Sequence, residues 1–388
     1  MSEEVIKTKR GFQINKSLLR KLIVLGSLIF ILIILSILRI NEEFCESYSR
    51  TFVRFYSFVF GHISSFFPFS LFELFVIGTI IYAIAWIVFF VINTKKHGIK
   101  NSYHMILRLF VIITSIITVY QATAGMEYGR KDVDIPLHTQ LIENPKDYKE
   151  ICYHFLDDFN KCAEQLKFNE EGSVVSPYSN DELTYKIIDE YSKLDSDYFN
   201  KYTPFAKPMY FTGWFYRMAS ITGVSFAPTG EANYNVLCPD GYKPFTIAHE
   251  LAHSKGAMPE ENANLTAAYI CLNSDDPYIR YSGYNVTFWS FATLILATNS
   301  DQDFTDLYAN IDPKIYKNNS YENKYWADHA TFEKIGDWFN DLYLKINNDN
   351  GTISYSDNVD IIHTDTEYVV HSYSRYQALM MWFYFDKN

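Results

Sequence analysis

Apolar residues follow two different patterns along this chain. Up to about position 124 they come in unbroken runs, and beyond it they recur among polar residues at helical spacing. Residues 22–38 form a charge-free apolar run, close to the ~20 residues a helix needs to cross a bilayer. A second run covers 74–92, led in by Pro68 and Glu73, and a third covers 109–124. The third is slightly short and carries threonines, but it extends back through Met105. These runs predict transmembrane helices at about 22–40, 72–93 and 105–124, within a membrane region 1–124 followed by a separate domain 125–388.

In the second region, 146–168 carries Ile151, Phe155, Phe159, Cys162 and Leu166 on one helical stripe. Ser179 followed by Glu182 is a capping box opening a helix through about Leu194. Residues 223–236 differ: β-formers broken by Pro228 and Gly230 predict a short strand or extended segment. Pro244 then suits the first turn of a helix reaching His253. The apolar stretch 284–298 is too short to span and holds Asn285, Thr287 and Ser290, so it predicts a buried core helix. Residues 331–347 predict an amphipathic helix burying Phe332, Ile335, Phe339, Leu342 and Ile346, ended by Asn347, Asn348, Asp349, Asn350 and Gly351. No repeats or low-complexity linkers appear.

Charge sets the expected topology. The first 21 positions hold Lys7, Lys9, Arg10, Lys16, Arg20 and Lys21, and Lys95, Lys96, Lys100 and Arg108 lie between the second and third spans without an acid. Between the first two spans, Glu42, Glu43 and Glu46 face only Arg50 and Arg54. The positive-inside rule places the N-terminus in the cytoplasm and the 125–388 domain outside it. No small-residue cleavage site follows Leu38, where the chain reads Arg39, Ile40, Asn41, Glu42, so the first span is expected to remain as an anchor. From Arg130 onward, 38 acids against 21 basic residues give a net charge of −17. That argues against nucleic-acid binding and against attraction to anionic headgroups. Five irregularly spaced cysteines offer no disulfide framework, and no CxxC pair is present. Cys152 and Cys162 share one helix, about 15 Å apart along its axis, too far to bridge.

The chemistry concentrates at His249, Glu250, Leu251, Ala252 and His253, an HExxH pattern on the helix opened by Pro244. Imidazoles four residues apart leave one helix face a turn apart and can share a metal ion. The intervening Glu250 points near the same place, where it can take a proton from water. Gly256 can end the helix in a left-handed conformation, and Pro259 suits the start of another. The chain is then expected to reverse and bring Glu260 to the two histidines as a third ligand, with one position left for water. Asn264, one turn on, is placed to hydrogen-bond a ligand. Glu261 is the rival ligand, about 100° around the helix. The plain alternative is a pair of core or surface histidines beside acids that favour a helix N-terminus.

The chain resembles a bacterial family of membrane-anchored proteins, a domain of unknown function with N-terminal spans and a gluzincin-type zinc site. The likeness covers most of the chain from the third span on. It rests on Phe226-Ala227-Pro228-Thr229-Gly230-Glu231-Ala232-Asn233 before the motif and on Pro244-Phe245-Thr246 leading into it. It continues through Gly256, the stretch from Glu260 to Asn264, Arg280-Tyr281-Ser282-Gly283-Tyr284, and Tyr343-Leu344-Lys345. The resemblance implies a zinc metallopeptidase with His249, His253 and Glu260 as ligands. The family commonly has an acid where this chain has Asn262, and a tryptophan-rich stretch where it has Gly125-Met126-Glu127-Tyr128.

These readings converge on a mostly α fold: N-terminal transmembrane helices, then a zincin-like, mainly helical domain with a small β component. The expected activity is zinc-dependent hydrolysis of a peptide or protein substrate, with Glu250 as general base. Residues 223–236 are expected to pair with substrate backbone. Tyr281, His371 and Tyr373 are candidates to stabilise the oxyanion. Glu231 binds a substrate amine or, the structural reading, caps a turn. An intramembrane protease is disfavoured because Lys243, Glu260 and Glu261 flank the motif. A metal- or peptide-binding receptor domain without catalysis is the remaining rival.

Overall fold

The three apolar runs form long helices because a chain in lipid must satisfy its backbone internally. The computed structural model describes residues 5–7, 13–99, 102–140, 145–298, 300–349, 361–363, 368–370 and 374–387. The spans are α1 (Lys16–Leu38), α4 (Leu71–His97) and the segment Tyr103–Gly125, which is α5 (Tyr103–Tyr120) continued by a π-helical turn. They are 23, 27 and 23 residues long, and by length and composition each can cross a membrane. They mark a membrane protein. Between α1 and α4 lie two helices that the runs do not announce, α2 (Glu42–Tyr48) and α3 (Arg54–Ser65).

The chain divides into two compact units. Unit 1 comprises Met1–Phe60, Leu71–Lys131 and Ala227–Thr229. Within it α1 packs on α5, and Met126 is fully buried with Leu35 and Cys45. The Arg130 guanidinium donates to Glu127 at 2.9 Å and to Glu46 at 3.1 Å. The stretch from Gly125 to Tyr128 thus supplies a core methionine and an ion-pair acid.

Unit 2 comprises Gly61–Ser70, Asp132–Phe226 and Gly230–Asn388. Its helices are α6 (Pro145–Glu164), α7 (Asn180–Ser192), α8 (Gly213–Met218), α9 (Lys243–Ser254), α10 (Glu260–Leu272) and α11 (Pro277–Thr298). They are followed by α12 (Asp301–Ala309), α13 (Pro313–His329), α14 (Glu333–Asn347) and α15 (Arg375–Phe385). The Ser179–Glu182 capping box forms as read. Helix α11 is a core helix packed on α6, with Phe288 and Phe291 fully buried.

Among the described residues the strands make four small sheets. Three are antiparallel pairs: β1 (Val5–Lys7) with β2 (Gln13–Asn15), β3 (Lys167–Phe168) with β4 (Val174–Val175), and β8 (Ile361–His363) with β9 (Tyr368–Val370). The fourth has three strands, β5 (Lys207–Met209), β6 (Gly223–Phe226) and β7 (Glu231–Asn235), in the order β5-β7-β6. The extended 223–236 segment is therefore a hairpin, broken where Gly230 takes φ of 65°. Central β7 is wholly buried, and β6 forms one edge.

One expectation fails. The α14 residues Phe332, Ile335, Phe339, Leu342 and Ile346 are 41–65 % exposed, and only Gly336 and Asn347 of the helix are buried. The helix docks through its small and polar side because Gly336 lets it approach the Ala219 carbonyl, where a Cβ would stand 2.4 Å from the oxygen.

Candidate metal centre

Helix α9 is held on several sides, and this fixes its histidines. Ile247, Ala248, Leu251 and Ala252 are fully buried, and the helix packs on β6, β7, α10 and α11. The small Ala248 and Ala252 permit close packing, and Tyr191 Oη donates to the Ala248 carbonyl at 2.6 Å. Pro244 sits in the first turn, where no backbone donor is lost. At the other end Gly256 has φ of 104°. Its N–H donates to the His253 carbonyl and that of Ala257 to the Ala252 carbonyl, both at 3.0 Å. That double bond pattern is a Schellman stop, and it turns the chain sharply. Pro259 caps α10, whose first residue is Glu260. The Glu260 N–H donates to Asp349 Oδ2 at 3.0 Å.

The reversal brings three side chains together. His249 Nε2 and His253 Nε2 stand 3.0 Å apart. Glu260 Oε2 lies 3.3 Å from the first and Oε1 3.6 Å from the second. Atoms bound about 2.0–2.2 Å from one tetrahedral zinc ion stand roughly 3.3–3.6 Å from each other. This set can hold such an ion with little adjustment. His253 Nδ1 lies 2.9 Å from the Ala257 carbonyl, to which it donates, so its Nε2 lone pair is left to face the cluster. Asn264 hydrogen-bonds His249 in a way that favours its protonated form. Glu261 is elsewhere, with Oε1 3.6 Å from Arg375 Nε. Arg375 also donates to Asn262 Oδ1 at 2.7 Å, so a neutral amide holds this guanidinium.

Glu250 projects beneath the cluster against the backbone of β6. A Cβ on Gly223 would stand 2.4 Å from Glu250 Oε1, so only glycine leaves the carboxyl its place. Glu250 Oε2 is buried without a hydrogen-bond partner. Burial, reinforced by the Glu260 charge and opposed by His249, pushes this acid up to about 8. Burial takes His253 down to about 4, against the pull of Glu260, and leaves it neutral. His249 is half-buried; desolvation opposes its charge, but its hydrogen bond to Glu260 and the charges of Glu260 and Glu250 raise it. Glu260 falls to about 2: burial opposes its charge, and the imidazoles more than offset that.

The remaining candidates go elsewhere. Tyr281 is in the core, its ring packed against Phe159 and Phe168. His371 and Tyr373 lie outside the described residues. Glu231 is fully buried and accepts from Lys207 Nζ at 2.6 Å. Sequence reading passed over Gly223, the Ala257 carbonyl and Asp349. Gly223 could have been singled out as a glycine opening the β segment before the motif; the other two carry no local signal.

A family described as a protein of unknown function (DUF3810) matches residues 48–363. The chain belongs to it. The match starts before the second span, so the family covers more of the membrane region than the resemblance indicated. No curated protein and no solved structure matches the chain.

Proposed function

We propose that this member of the DUF3810 family is a membrane-anchored zinc metallopeptidase. The observation that carries the reading is the convergence of His249, His253 and Glu260 at 3.0–3.6 Å beside Glu250, whose buried Oε2 has no hydrogen-bond partner. His249, His253 and Glu260 would hold the ion. When bound, zinc supplies a Lewis acid that brings the pKa of water towards about 7 and polarises a carbonyl.

The chain's own groups divide the rest. Asn264 and the Ala257 carbonyl orient the two imidazoles so that Nε2 of each faces the ion. Glu250, backed by Gly223, takes a proton from the attacking water and returns it to the leaving amine. Its high metal-free pKa is a consequence of burial, and a cation beside it favours the charged form needed to accept a proton. Edge strand β6 gives an extended peptide a strand to pair with, holding it straight past the cluster. The basic residues that flank the spans support, by the positive-inside rule, an orientation with the N-terminus in the cytoplasm and the catalytic domain outside it.

The test is peptide hydrolysis by zinc-loaded full-length protein beside its Glu250→Gln variant. The variant is expected to bind zinc equally well and to lose about 10²–10⁴-fold in rate. A variant that hydrolyses as fast as the wild type contradicts the reading. Wild-type protein that binds zinc and peptides without cleaving them would make this a receptor domain.

A further inference from the structure

Helix α3, between the first two spans, has one bonded side and one apolar side. Its residues 54–60 belong to unit 1 and 61–65 to unit 2. Val53, just ahead of the helix, Gly61 and Ser64 are buried, and Ser57 shares their side. The Ser64 carbonyl accepts from Lys207 Nζ at 2.6 Å. A Cβ on Gly61 would stand 2.8 Å from the Tyr202 ring, so glycine lets that ring close on the helix. Two aromatic contacts mark the margins of this side. Tyr202 stacks on His62 with centroids 3.9 Å apart, and Tyr56 Oη donates to the Pro228 carbonyl at 2.7 Å.

Between those margins the other side is apolar. Phe55, Val59 and Ile63 follow at intervals of four, about 160° around from the row Val53, Ser57 and Gly61. Phe55 is 68 % exposed and Ile63 48 %, and Phe52 (44 %) and Phe66 (86 %) carry the row past both helix ends. The chain on either side indicates what covers it. Span α1 precedes the helix, and span α4 begins at Leu71, no more than about 20 Å of chain from Ser65. The row is therefore held close to where the chain enters the bilayer. Charge agrees with that neighbour. Residues 47–72 contain no acid, so nothing in this stretch repels an anionic headgroup, although the whole chain carries 45 acids against 34 lysines and arginines.

We infer that α3 lies flat in the bilayer interface, with Phe52, Phe55, Ile63 and Phe66 seated at the boundary of headgroups and acyl chains. The partner of this surface is lipid, as for an amphipathic interfacial helix. The inference is independent of the peptidase reading and holds whether or not the protein cleaves peptides.

Spin labels test it in full-length protein reconstituted into phosphatidylethanolamine and phosphatidylglycerol vesicles. They are introduced singly through Phe55→Cys, Ile63→Cys and, as the aqueous reference, Tyr185→Cys on α7, a position 64 % exposed. The five native cysteines are buried, and unsubstituted protein taken through the same labelling gives the background. At positions 55 and 63 oxygen should relax the label several-fold more than a water-soluble nickel chelate does, with the order reversed at 185. The two depths should agree, about 5–10 Å into the boundary, whereas an upright helix would separate them by about 12 Å. The proposal is overturned if the chelate reaches 55 or 63 as readily as 185, or if the depths differ by that upright amount. It is overturned equally if both reagents are excluded and labels on different copies broaden one another, since a second copy would then cover the row. Wild-type protein gives a check free of substitutions: a carbene-generating phospholipid should label Phe55 or Phe66, and labelling confined to the spans contradicts the proposal.

Discussion

Unit 2 buries acids in two ways, and the contrast separates scaffold from site. Glu231 is fully buried on β7, and Lys207 meets it at 2.6 Å. The same ammonium donates to the carbonyls of Ser64 at 2.6 Å and Phe69 at 3.1 Å, so its three protons are all used. Next to it Ser70 Oγ donates to Asn233 Oδ1, whose amide donates to the Val224 carbonyl. Nothing there is left to react. At the other place Glu250 keeps a buried oxygen without a partner, and two imidazole nitrogens and a carboxylate crowd around one point. A satisfied network ties the 61–70 segment to the sheet. An unsatisfied one invites a ligand.

Substitutions should sharpen this contrast. The largest stability effect falls on the satisfied pair: Glu231→Ala leaves a buried ammonium uncompensated and should cost about 3–5 kcal/mol in unfolding experiments. Zinc stoichiometry of the folded fraction should be unchanged. Glu250→Gln should cost no stability despite equal burial. Loss of folding in the second variant and not the first would reverse the roles assigned to the two acids.

The next effect is smaller and depends on pH. In chelated protein the Glu250 pKa is raised to about 8, so the folded state keeps a proton that the unfolded chain releases near its ordinary carboxyl range. Stability from this group is therefore lost as pH rises from about 4.5 to about 8. Wild type should lose stability relative to Glu250→Gln across that window, and the gap should be constant above it. A difference independent of pH would mean that Glu250 is not held in its neutral form by burial.

The smallest change tests geometry. Gly223→Ala adds one methyl against the Glu250 carboxyl, the movable end of a side chain. Peptide hydrolysis should fall while zinc affinity and thermal unfolding stay close to wild type. Unaltered kcat would show that Glu250 need not sit against β6.

Much of this was readable from local pattern. The spans, the capping box at Ser179 and the turn at Gly256 are each written within a few residues, by hydropathy, by a paired Ser and Glu, and by a glycine with φ of 104°. The clustering of His249, His253 and Glu260 was legible because that turn joins the two histidines to the glutamate. What stayed hidden depends on partners distant in sequence. Glu231 finds Lys207 only through parallel pairing of β5 with β7, and Asp349 reaches Glu260 across 89 positions. Helix α14 misled for a related reason. Its apolar stripe has the period of a buried face, but Gly336 and Asn347 give it another way to dock. Periodicity shows that a helix has an apolar side, and not what covers that side.

The most direct measurement is zinc-edge X-ray absorption on the full-length protein. The account predicts one ion per chain with two imidazole nitrogens at about 2.0–2.1 Å and carboxylate oxygen at about 2.0–2.2 Å, reduced to a single imidazole in His253→Ala. A first shell containing sulfur, or one unchanged in that variant, would contradict it.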